Sequence, residues 1–107
     1  MTFGRRNAEP TAGPRGLAIP PSAQISPDAR EIFRAWIVDG GLQVSLQRGF
    51  DDSRMWGILL ADVARHASRI YAREGLSSEA DAMRNIRSLF DAELDRPTDP
   101  GTTDAIQ

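Results

Sequence analysis

The single histidine of the chain, His66, follows Asp62 by four residues. On a helix that spacing lets two side chains meet. A carboxylate beside an imidazole fixes its tautomer and raises its basicity, which is how general-base pairs are built. Arg65 and Tyr71 are near in sequence, so Asp62, Arg65, His66 and Tyr71 form a candidate ligand or functional site. No nucleophile or oxyanion motif accompanies them, and no catalytic residue is assigned. A structural hydrogen bond at the helix–hairpin or dimer boundary is the favoured reading of the Asp62–His66 pair.

Two further charged groups could do chemistry. Arg65, Arg69 and Arg73 recur at four-residue steps, and Arg84 and Arg87 could extend the row. Such a row can hold phosphate or an acidic surface, or can simply be a solvated helix face. Of Asp91, Glu93 and Asp95, Asp91 and Asp95 share a face and could hold a hard cation, but calcium-loop spacing is lacking, so no metal site is expected. The chain has no cysteine, which excludes disulfides and thiolate metal sites. All 13 basic residues are arginine, against 15 acidic ones, for a net charge of -2. That balance, with no reading motif, argues against a nucleic-acid partner. No Gly-rich phosphate loop is present, and no cofactor is expected. No apolar run approaches the ~20 residues of a membrane span, so neither membrane nor secretory leader is expected and the location is read as cytoplasmic.

The elements that must position these residues are two helices and a hairpin. Asp51 and Asp52 can cap a helix that ends at Gly75, with Trp56, Leu59, Leu60, Val63, Ala67, Ile70 and Tyr71 as its apolar stripe. Gly57 inside it means either a close backbone approach or mere tolerance. A second helix starts at Ser77 or Ser78 and stops before Pro97, with Ala82, Met83, Ile86, Leu89, Phe90 and Leu94 as its stripe. So short a connection predicts antiparallel neighbours with stripes facing.

Leu42 to Gln47 alternates between apolar and polar residues, as a half-buried strand does. Its partner is Glu31 to Val38, across Asp39-Gly40-Gly41, giving a β-hairpin over about 31–48. A helix beginning at Ser26-Pro27-Asp28 is the rival reading for 26–38. A two-residue loop sets Phe33, Ala35 and Ile37 beside Leu42, Val44 and Leu46; a three-residue loop exchanges the faces. Either way the first strand is apolar on both sides. Ile32, Arg34, Trp36 and Val38 are therefore the candidate interface, and a homodimer is expected.

The fold class is α+β: a ββαα domain over 28–96, with a flexible Pro/Gly-rich N-terminal arm (1–27) and a disordered C-terminal tail (97–107). Five of the seven prolines lie in the arm. Leu17-Ala18-Ile19 is its apolar exception, suited to docking as a short extended piece.

The stretch from Arg34 through Trp36-Ile37-Val38-Asp39-Gly40-Gly41-Leu42-Gln43-Val44-Ser45-Leu46, then Trp56-Gly57-Ile58 to His66, resembles a family of small bacterial proteins of unknown function. The family is common in alphaproteobacteria. The likeness continues through Tyr71-Ala72 and Phe90-Asp91-Ala92-Glu93 to Pro97-Thr98-Asp99, covering roughly 30–99. Several members have histidine where this chain has Gln43, so any chemistry at that position is in doubt here. The resemblance implies a free-standing bacterial protein and supplies no activity. The leading expectation is a protein-interaction or regulatory module acting by binding; the alternative is a small-molecule binder or minor enzyme using Asp62 and His66 in a groove.

Overall fold

A computed structural model describes residues 14–103. The first 13 residues of the expected arm and the last four of the expected tail lie outside them. Two compact units divide the chain after Glu31.

Among its described residues the first unit contains one short helix, α1 (Pro21–Ile25). Pro21 opens it, where a missing N–H costs nothing. The carbonyl of Pro20 accepts from the N–H groups of Ala23 and Gln24, and the Gln24 amide reaches back to the Ile19 carbonyl at 2.7 Å. The described part of the arm thus carries a short helix at Pro21–Ile25.

The second unit holds β1 (Phe33–Val38), β2 (Gly41–Leu46), α2 (Arg54–Arg73) and α3 (Glu79–Asp95). The order is ββαα, as expected, and 33–38 is strand, not helix. The strands pair antiparallel with Val38 opposite Gly41, so the loop is the two residues Asp39 and Gly40. Both have positive φ (51° and 81°). That is the type I′ turn whose twist matches the strands, and Asp-Gly suits it because both positions must enter the left-handed region. Phe33, Ala35, Ile37, Leu42, Val44 and Leu46 consequently share one face.

The ends of α2 and α3 are set by local chemistry. Asp52 serves the start of α2: its carboxylate accepts from the Arg54 N–H at 2.9 Å and from the Arg54 guanidinium at 2.7 Å. These bonds hold the Asp52 carboxyl below the usual carboxylate range, the guanidinium first and the backbone N–H second. At the far end Gly75 (φ 73°) donates to Ala72, and Leu76 donates back to Tyr71. This pair of bonds is the Schellman closure, which needs a left-handed residue at Gly75. Ser78 caps α3 by accepting from the Asp81 N–H at 3.0 Å. Beyond α3, Thr98 donates its N–H and hydroxyl to Glu93, lowering that carboxyl, so the first residues after Pro97 are tied to the helix.

The helices are antiparallel, yet their large apolar stripes do not cover one another. Among the described residues only Ser68 (0% exposed) and Ala82 (5%) are fully buried. Leu60, Val63, Ile70, Leu89, Phe90 and Leu94 all stay substantially open. Along α2, Ser68 is buried and Ala64 half-buried, whereas Gly57 and Ala61 are exposed and line the space beside α3. Small side chains let two backbones approach, while the bulky ones lie to the side. The buried Ser68 hydroxyl donates to the Ala64 carbonyl at 2.8 Å, which removes the cost of hiding it. Arg69 reaches Glu79 of α3 at 3.7 Å near the connection.

Two expectations follow for urea unfolding. An added Cβ at Gly57 meets nothing within 4 Å, so Gly57→Ala should raise stability by about 0.5–1 kcal/mol. Gly75→Ala, at positive φ, should lower it by about 1 kcal/mol. The Asp52 contact also has a defined pH dependence. A depressed folded-state pKa means stabilisation that is present above the unfolded value and is lost as pH falls through the folded one. Asp52→Asn should therefore increase amide exchange in the first turn of α2 at neutral pH, and parent and variant should converge in acid.

Candidate functional site

The hairpin meets α2 through three aromatic rings. Trp56, in the first turn of α2, stands edge-on to Phe33 at 6.4 Å and to Phe50 at 5.9 Å. Its indole N–H donates to the Arg48 carbonyl at 2.8 Å. Gly49 (φ 72°) turns the chain beneath this group, and an added Cβ would lie 3.2 Å from the Ile32 side chain. The periodicity placed Trp56 on the stripe facing the second helix; the structure turns it toward the loop and the hairpin. Phe50 and Gly49 were not singled out from sequence. The signal for them is an aromatic and a glycine just before a helix whose first turn holds tryptophan.

Beyond this junction the hairpin carries little cover. Ile37, Leu42, Val44 and Leu46 are 83%, 71%, 48% and 50% exposed on its apolar face. Trp36 lies on the opposite face, across from Gln43 and half-buried, with the Arg34 guanidinium 5.2 Å from its ring. That distance allows a cation–π contact. Val38 shares the face of Trp36, and Ile32 sits at the hairpin base, where its carbonyl accepts from Gln47. Of the candidate interface, the structure thus brings Arg34, Trp36 and Val38 onto one side and seats Ile32 against Gly49. The larger exposed apolar surface is the other side.

A groove of about 520 Å³ runs between α2 and α3. Leu60, Val63, Ala67, Met83, Ile86 and Phe90 make its apolar wall, and Arg65, Arg87 and Asp91 are its charged members. It exists because the helices touch through small residues near their connection and leave the bulky ones flanking. Of the candidate ligand residues, Arg65 lines it; Asp62, His66 and Tyr71 do not. His66 Nε2 and Asp62 Oδ2 are 3.6 Å apart, and both side chains are about three-fifths exposed. Their meeting is as the spacing predicts, but on open surface. The arginine row is divided in use, Arg65 at the groove and Arg69 with Glu79. Among the described residues no three His, Asp or Glu side chains gather as a metal site, and no helix is long and apolar enough to cross a membrane.

The model for the domain of unknown function DUF5076 matches residues 16–98. The chain belongs to the DUF5076 family. That match takes in both strands, α2, α3 and the groove. A solved structure from the photosynthetic bacterium Rhodopseudomonas palustrus, of a protein provisionally named a pyruvate dehydrogenase, is 47% identical. The similarity covers 89% of this chain and 98% of that one, with a TM-score of 0.76. No curated protein matches the chain. The shared fold therefore spans most of the length of both chains.

The two positions that drew notice for different reasons should separate in unfolding experiments. Trp56→Ala should cost on the order of 2–3 kcal/mol, since it removes the aromatic junction and a hydrogen bond. His66→Ala, at an exposed contact with Asp62, should shift stability by less than about 0.5 kcal/mol.

Proposed function

We propose that this DUF5076 chain is a protein-interaction module that binds an amphipathic helix of a partner protein in the groove between α2 and α3. The observation that carries the reading is the groove itself: an apolar channel walled by two helices whose large side chains stay open. A third helix laid into such a channel completes a bundle, and this mode of recognition needs only apolar anchors at three- and four-residue steps. Two arginines against one aspartate favour a partner helix with acidic flanks. The groove's aliphatic and aromatic wall offers little to a small polar substrate such as pyruvate. Asp62 and His66 stand outside the groove, and both side chains are about three-fifths exposed.

The reading is tested with a photo-crosslinking amino acid at Val63 and, as a control, at Glu74, in cells of the source organism. The expected result is one discrete heavier adduct at Val63, absent at Glu74 and suppressed by Phe90→Asp, containing a partner with an amphipathic helix. Equal labelling at both sites would refute it. An adduct with only a second copy of the chain would turn the groove into a self-contact and refute it too.

A further inference from the structure

Among the described residues the outer edge of β2 is open, because the sheet there has two strands in the order β1-β2. An open edge presents backbone donors and acceptors to any strand that can reach them, and proteins usually guard it with charge, proline or a bulge. This edge has no such guard. Gly41-Leu42-Gln43-Val44-Ser45-Leu46 contains no charged residue and no proline. A two-stranded sheet is also marginal alone.

We propose that β2 pairs antiparallel with β2 of a second copy of the chain, forming a four-stranded sheet about a twofold axis at Val44. The sequence of the strand selects this occupant. Leu42-Gln43-Val44-Ser45-Leu46 reads the same in polarity from either end, which is what an antiparallel strand needs to match itself. Laid about Val44, Leu42 of one copy falls opposite Leu46 of the other, and Gln43 falls opposite Ser45. Every apolar residue then meets an apolar one on the same face, so the two sheet faces stay in register. Two identical edges repel when they carry charge, and this one carries none. The pairing also joins the faces of Ile37, Leu42, Val44 and Leu46 from both copies into one continuous apolar surface. The contact lies on the hairpin, so it stands or falls separately from the helix-binding groove.

The absence of cysteine makes a direct test available on the full chain. Opposed residues in an antiparallel pair have Cα atoms about 4.5–5.5 Å apart, within disulfide reach. Val44→Cys should form a covalent dimer under mild oxidation at least about tenfold faster than Leu46→Cys, whose thiol would face Leu42. Equal rates would overturn the proposal. A second pair of variants checks the energetics by sedimentation, with circular dichroism to confirm folding. The parent should be dimeric at tens of micromolar. Val44→Lys and Val44→Glu should each be monomeric alone, and an equimolar mixture should restore the dimer, because opposite charges then meet at the axis. A monomeric parent, or a Val44→Lys chain that still dimerises, would overturn the twofold pairing.

Discussion

The contact of Trp56 with Phe33, Phe50 and the Arg48 carbonyl is the constraint on which the second unit depends. It joins the hairpin to the helices by three rings and one hydrogen bond. Edge-to-face packing of this kind is directional, so it fixes how the strands leave the start of α2 as well as holding them there. Gly49 makes the approach possible, since its positive φ and missing side chain let Ile32 close over the loop. With that joint set, the hairpin's apolar face is left open toward its tip.

The helical pair follows a different economy. Two buried residues, a serine and an alanine, mark its line of closest approach. Backbone proximity there is obtained by keeping side chains small, and the large apolar groups that would ordinarily fill a core are displaced to the flanks. A groove and an exposed sheet face are two results of one cause: the chain has more apolar surface than its own elements can cover. Domains of this size commonly meet that shortage by association.

Much of this was legible in the sequence. The Asp39-Gly40 turn, the alternation of Leu42–Leu46, the Ser78 cap and Gly75 each encode a local conformation in one or two residues, and the hairpin and both helix ends follow from them. The Asp62–His66 spacing also gave the observed meeting. What the sequence obscured was orientation. Trp56 fits the helical stripe by period, but its ring is claimed by Phe33 and Phe50, which are distant contacts that no local pattern records. Ser68 carries no hydrophobic signal, so the most buried of the described positions is invisible to a search for apolar residues. The large side chains give the stronger periodic signal, while the fully buried positions are the small Ser68 and Ala82. For the same reason the groove, and the place of Arg65 on it, could not be read from the stripes alone.

The small-residue seam between α2 and α3 reverses the usual relation between size and tolerance. In a conventional core the bulky aliphatics are the positions that resist change, because removing them leaves a void. Here Ser68 and Ala82 have no room to grow, so an added methylene at either must spread the helices or strain a rotamer. Leu60 and Phe90, half open along the groove, can lose volume at far lower cost to the free chain. Natural variation would then be narrowest at the least conspicuous residues of the domain, and the bulky positions would be free to drift with whatever they touch.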